Sequence, residues 1–275
     1  MVKRALVVGA GGFFGAYGAG VTATLCRRLG PDYFDTIYGC SAGGLAAAMY
    51  AANQPDFLED LWRNLVDGKK VIDFSNIIRG RTVLNLEHLA DIFKNKERWF
   101  DFNKGFSSSV NLILVVTEIG SGQPRYLSAN SHNFLDLLKA SAAIPLLHNP
   151  VSVDGKLYID GALADPFPIM KAFYDGHDEI LAVHNIPKKS GLKKKQKILL
   201  KFALRAVFEN EYNLDIFDEK TEKHIEKNPF ITVIRPRKDL PLRLSLDTNR
   251  QRINKAFDIG VKDARNFLKK YSRLK

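Results

Sequence analysis

The residues best suited to do chemistry are Gly39-Cys40-Ser41-Ala42-Gly43, which follow the short apolar run Thr36-Ile37-Tyr38 and precede the helix-forming stretch Leu45-Ala46-Ala47-Ala48-Met49-Tyr50. Small residues on both sides of Ser41 let the chain turn sharply from strand into helix and project one hydroxyl, the arrangement of a nucleophile elbow. A serine hydroxyl is a weak nucleophile until a base takes its proton and a set of donors receives the charge developing on the substrate oxygen. The amide of Ala42, directly after the serine, is one such donor. A second set lies in Gly9-Ala10-Gly11-Gly12-Phe13-Phe14-Gly15, where glycines let backbone N–H groups point into a concavity beside a helix start. Asp160, at the end of a short strand and followed by Gly161, is placed to act as the base. Taken singly, each residue has a plainer reading: Ser41 as a small residue in a tight turn, Asp160 as a loop aspartate bonded to its own backbone.

The elements that must position these groups can be read from periodicity. Ala5-Leu6-Val7-Val8 is an all-apolar run suited to a buried strand, and Ala16 to Leu29 reads as a helix, with Arg27-Arg28 complementing its C-terminal end and Gly30-Pro31 ending it. Together with the elbow strand this is a strand–helix–strand unit whose loops lie at the carboxyl ends of the strands, where parallel sheets place their sites. Residues 55–67 and 85–94 carry apolar side chains three and four apart and predict amphipathic helices. Asn111-Leu-Ile-Leu-Val-Val-Thr117 predicts a central strand, Phe134 to Ala140 a helix, and Asp154-Gly155 a two-residue hairpin turn between Val151-Ser152-Val153 and Lys156-Leu157-Tyr158-Ile159. Glu179 to Val183 and Phe230 to Ile234 are further strands; 195–211, 214–227 and 250–272 are further helices. The alternation predicts one α/β domain over residues 1–275 around a largely parallel sheet.

Four segments in this order resemble the patatin-like phospholipase family, with the likeness strongest to its short bacterial members. They are Gly11-Gly12-Phe13-Phe14-Gly15-Ala16-Tyr17-Gly18-Ala19-Gly20-Val21, then Gly39-Cys40-Ser41-Ala42-Gly43, then Ala140-Ser141-Ala142-Ala143-Ile144-Pro145, then Tyr158-Ile159-Asp160-Gly161-Ala162 with Asp165-Pro166-Phe167-Pro168. The likeness runs across residues 4–184. It implies a three-layer α/β/α fold and a catalytic dyad in which Ser41 attacks an acyl carbonyl and Asp160 takes its proton. It also implies an oxyanion hole from the amides of Gly11 and Gly12, with Gly15 and Ala42. The implied substrate is a phospholipid or another acyl-ester lipid, and neither a metal nor an organic cofactor is needed. Three positions depart from the family pattern. Ala10 stands where the first glycine of the loop is usual, Phe14 where a basic residue is usual, and Ala162 where a second glycine follows the aspartate. The alternative reading is therefore a catalytically weakened relative that binds lipid or a partner.

Other chemistries fit the chain less well. A dinucleotide fingerprint starting at Gly9 would need glycine at 14, where Phe14 stands, and no acidic residue follows the second strand to hold a ribose. Ser41, Asp160 and His184 occur in the chain order of a Ser-Asp-His triad, yet too few strands precede Ser41 for that fold. The two cysteines, Cys26 and Cys40, have no metal-ligand spacing and form no disulfide framework, in keeping with a cytoplasmic location.

The uncharged stretch from Ala5 to Cys26 is rich in glycine and reads as strand, loop and helix in place of a membrane span. The formal charge of +11, concentrated after residue 185, implies an anionic partner. Lys194, Lys197, Lys201 and Arg205 share one helical stripe, which reads first as an ordinary surface helix packed on the core and, in the sharper reading, as an interfacial helix for peripheral docking on anionic membrane. No nucleic-acid-binding module is recognisable, so no specific nucleic acid is expected.

Overall fold

The computed structural model describes residues 2–66, 68–94, 101, 109–187 and 219–271. Its strands are β1 (Arg4–Val8), β2 (Thr36–Cys40), β3 (Asn111–Glu118), β4 (Pro124–Ser128), β5 (Val151–Val153), β6 (Lys156–Asp160), β7 (Glu179–Val183) and β8 (Ile231–Ile234). They form one sheet in the order β5-β6-β3-β2-β1-β7-β8, with β4 paired to β3. The five strands from β3 to β8 run parallel, while β4, β5 and β6 are antiparallel additions. The helices are α1 (Gly15–Leu29), α2 (Ala42–Ala51), α3 (Pro55–Asp60), α4 (Gly68–Val71), α5 (Leu86–Lys94), α6 (Phe134–Ser141), α7 (Ile169–Tyr174), α8 (Glu219–Lys227) and α9 (Arg250–Tyr271).

The all-apolar strands are explained by burial on both faces. In β1, Leu6 and Val8 join one core with residues of α1, α2, α5, α6 and α9, whereas Ala5 and Val7 join a second core with Ile169 and Ala172 of α7. Ile225 of α8 packs on that second core. The result is three layers, α/β/α, as the family resemblance implies. The uncharged stretch from Ala5 to Cys26 is β1, a loop and most of α1, and no described helix is long and apolar enough to cross a membrane.

Several boundaries differ from the periodicity reading. The helix expected over 55–67 stops as α-helix at Asp60 and continues as a π turn, Leu61–Leu65, in which Val66 N–H bonds to the carbonyl of Leu61 at 2.7 Å. Strand β4 has no sequence signal, because Pro-Arg-Tyr-Leu-Ser carries neither an apolar run nor a clean alternation. The hairpin turn forms as expected, with Asp154 and Gly155 both at positive φ. The helix expected over 195–211, with its basic stripe, and the start of that over 214–227 lie outside the described residues.

The topology at β3 positions the site. Val115 pairs with Cys40 on one side and Tyr126 on the other; the next residue, Val116, pairs with Arg125 and Asp160. Since β4 occupies one edge at both positions, β2 and β6 share the other. The two strands meet end to end, so the chain leaves β2 at Ser41 beside the point where β6 ends at Asp160. Gly161 makes the junction possible: a Cβ there would stand 2.2 Å from the Val115 carbonyl oxygen.

Candidate active site

Ser41 occupies φ 53°, ψ −125°, a left-handed conformation that costs a non-glycine residue energy. It caps the N-terminus of α2, yet its hydroxyl does not accept from the helix amides as a capping serine would. The Oγ donates instead to Asp160 Oδ2 at 2.9 Å. Both side chains are buried, at 6% and 4% exposure, so solvent screens the contact little.

Asp160 is held on three sides. Its Oδ1 accepts from the Ala162 amide at 2.8 Å, its carbonyl accepts from the Thr117 hydroxyl, and its own N–H donates to the Ala143 carbonyl. Burial pushes its pKa up to about 7, against the opposing pull of the hydrogen bonds from Ala162 and Ser41. A carboxylate of that basicity can accept a proton near neutral pH far better than an exposed aspartate can.

Two residues missed by sequence reasoning secure the backbone around this pair. Ser141, which the sequence reading places in the third family-like segment without a role of its own, accepts the Ser41 N–H at 2.9 Å and donates to the Val115 carbonyl at 2.7 Å. Asn185 is fully buried and donates through Nδ2 to the carbonyls of Gly9, at 2.6 Å, and Ala10, at 3.3 Å. Because the peptide is planar and trans, turning the Ala10 carbonyl toward Asn185 turns the Gly11 N–H the opposite way. The only available signal in the sequence was a polar pair, His184-Asn185, after the apolar run of β7.

Among the described residues, the amides of Gly11, Gly12 and Ala42 donate to no protein acceptor. The Gly15 amide is different: it turns back onto the carbonyls of Gly12 and Phe13, so it is engaged in its own turn. Gly12 has φ +54°, and a Cβ there would lie 2.4 Å from the Ser245 carbonyl oxygen, which already accepts the Phe13 N–H.

Gly12, Ser41 and Ala42 line one pocket of about 80 Å³ whose remaining walls are apolar, including Leu45, Trp62, Val71, Leu86 and Ile144. Its walls suit an alkyl chain and carry no charged side chain. A larger cavity, about 470 Å³, lies at the opposite end of the sheet beside Arg4 and Glu179, remote from the serine. His184 is buried against the Phe167 ring, its Nδ1 near the Ile186 backbone, while the Ser41 hydroxyl bonds directly to a carboxylate.

The Patatin-like phospholipase family model matches residues 6–173, more than half of the chain. The chain belongs to the patatin-like phospholipase family. This patatin-like chain is 26% identical over 195 residues to the uncharacterized protein YjjU of Escherichia coli, covering 67% of this chain and 52% of that protein. It is 27% identical over 181 residues to mouse 1-acylglycerol-3-phosphate O-acyltransferase Pnpla3, covering 61% of this chain and 43% of that protein. It therefore spans about half the length of the curated relatives it matches. The structure of VipD from Legionella pneumophila superposes with a TM-score of 0.51 at 13% identity, covering 96% of this chain and 67% of that one. That likeness concerns the fold.

Proposed function

We infer that the protein is a serine lipid acyl hydrolase of phospholipase A or lysophospholipase type. The observation that carries this reading is the buried hydrogen bond from Ser41 Oγ to the Asp160 carboxylate. Asp160 accepts the hydroxyl proton as Oγ attacks the acyl carbonyl. The tetrahedral oxyanion is received by the amides of Gly11, Gly12 and Ala42, of which the last benefits from the positive end of α2. Collapse expels the alcohol with the proton from Asp160 and leaves the acyl group on Ser41. Water then attacks that ester as Asp160 takes its proton; the Oγ–acyl bond breaks as Asp160 returns the proton to Ser41 Oγ, and the fatty acid leaves. The acyl chain occupies the apolar pocket beside Ser41. Gly15, whose amide is engaged, contributes to the shape of the loop and not as a donor.

The matched mouse protein carries acyltransferase in its name. Handing the same acyl-enzyme to a lipid hydroxyl in place of water is that reaction, and the two outcomes differ only in product. The test is to incubate the purified protein and Ser41→Ala with phospholipid, lysophospholipid and a soluble short-chain ester, with and without a lysophospholipid acceptor, and to identify products by mass spectrometry. Free fatty acid formed by the parent and absent with Ser41→Ala supports the hydrolase. Equal release by both proteins rejects it.

A further inference from the structure

Loop 73–83 stands at the rim of the Ser41 pocket and is closed on itself. Its base is an antiparallel bridge between Ile72 and Leu84, two residues that line the pocket. Asp73 N–H bonds to the Val83 carbonyl, the Asn76 side-chain amide to the Thr82 carbonyl, and the Arg81 N–H to the Asn76 carbonyl. A short loop whose ends meet and whose interior is hydrogen-bonded holds its tip in a fixed place. On that loop Ile78, near the tip, is 92% exposed, and Phe74, beside the base, is 55% exposed.

Two neighbouring loops do the same. Leu146 is exposed at φ 69°, a costly conformation for leucine, and shares a cleft with Gly80 and Arg81. The Leu84 N–H bonds to the Leu147 carbonyl, which fastens this loop to the first. Leu244 is 65% exposed, one residue from Ser245 at the glycine loop and two from Leu246 in the pocket wall. Apolar side chains are thus presented to solvent from three loops around one pocket mouth. Exposed Arg79, Arg81 and Arg243 stand among them.

We propose that this rim is the surface by which the protein docks on an anionic lipid bilayer, with Phe74, Ile78, Leu146 and Leu244 entering the interface and the arginines meeting the headgroups. Apolar side chains flanked by cations match the two layers of such an interface in depth and in charge. The orientation faces the Ser41 pocket toward the membrane, so an acyl chain passes from bilayer to pocket without crossing water. The meaning of that orientation rests on the hydrolase reading, but the docking itself does not.

Vesicle flotation decides the matter in a Ser41→Ala background, which removes hydrolysis from the readout. The vesicles are phosphatidylcholine alone or mixed with phosphatidylglycerol. Phe74→Ser with Ile78→Ser is expected to weaken partitioning about 30-fold, equivalent to about 2 kcal/mol. Arg79→Ser with Arg81→Ser is expected to weaken binding to the anionic mixture about 10-fold at low salt and to leave neutral vesicles unaffected. With Ser41 restored, both pairs should turn over a soluble short-chain ester within about twofold of the parent, since none of the four lines the pocket; the tenfold scale of the binding effects makes that margin meaningful.

A second readout avoids any question of folding. Cys26 and Cys40 are buried, so a single exposed cysteine can carry an environment-sensitive dye. Ile78→Cys should shift to the blue on vesicles, while Tyr174→Cys, exposed at the opposite end of the sheet, should not. Parent protein that fails to bind vesicles, unchanged binding by the apolar pair, or an equal response at 78 and 174 overturns the proposal. Failure of the parent to cleave the soluble ester rejects the hydrolase reading instead and leaves the docking result standing.

Discussion

Ser141, a hundred residues along the chain from Ser41, holds the backbone of that serine in place. Its hydroxyl takes the Ser41 N–H at 2.9 Å and passes a hydrogen bond on to the Val115 carbonyl at 2.7 Å. The strained backbone of Ser41 is thereby tied to the strand that also holds Asp160. Ser41 and Asp160 are both referenced to one rigid element, β3, and not to each other alone.

Ser141→Ala should therefore lower kcat on a soluble ester by about 10-fold or more with little change in KM. It leaves the buried Ser41 N–H without a partner, at a cost of about 1–3 kcal/mol. Steady-state kinetics and thermal melting together check this. A variant that melts earlier but keeps its kcat would reduce Ser141 to a structural role.

The acidity of Asp160 gives two expectations of opposite sign. In the proposed mechanism Asp160 must be ionised to act, so kcat/KM should rise with pH through about 7 and level off above it. Stability should run the other way. A carboxyl whose pKa is raised on folding contributes stability in full below its unfolded value, near 4, and that contribution is lost as pH rises through 7. Asp160→Asn, which cannot ionise, should accordingly melt several degrees higher than the parent at pH 8 and close to it at pH 5. Melting curves at the two pH values test it; an Asn variant less stable at pH 8 would contradict the burial argument.

Asn185 should matter through the loop it holds. Asn185→Leu keeps the volume and removes both donors, leaving the Gly9 and Ala10 carbonyls free to turn. Asn185→Asp places an acceptor against two acceptors and should be worse. Both are expected to lose kcat by about 10²-fold, the scale of losing one oxyanion donor. Full activity in Asn185→Leu would show that the loop is held without it.

Gly12→Ala tests the same donors from the other side. The added Cβ meets the Ser245 carbonyl oxygen at 2.4 Å in a backbone conformation that alanine avoids. The loop must shift, and kcat should fall about 10²- to 10³-fold while Ser41 and Asp160 remain in contact. Kinetics on the soluble ester, with circular dichroism to confirm the fold, provide the check.

Much of this arrangement was legible in the sequence. The apolar runs of β1, β2, β3 and β7, the hairpin turn at Asp154-Gly155 and the small-residue elbow at Ser41 are local signals, and each forms where expected. The meeting of Ser41 with Asp160 could be reached only through the family pattern, because it depends on β2 and β6 sharing one edge of β3. No local rule sets that pairing. The roles of Ser141 and Asn185 carry no local signal, because a buried hydroxyl and a buried amide read, in sequence, like any other small polar residue. The exposed Ile78 and Leu244 were invisible for the converse reason: an apolar residue carries no mark of facing outward. The departure at Phe14 reads differently in the structure, where that side chain packs partly buried against the main core.

Reaction with a fluorophosphonate, followed by intact-mass and peptide mass spectrometry, asks directly whether Asp160 activates Ser41. The account predicts a single adduct on Ser41 in the parent and, in Asp160→Asn, labelling slower by about 10²- to 10⁴-fold, the range for loss of a general base. Labelling of Asp160→Asn at the parent rate, or an adduct on any residue other than Ser41, would contradict it.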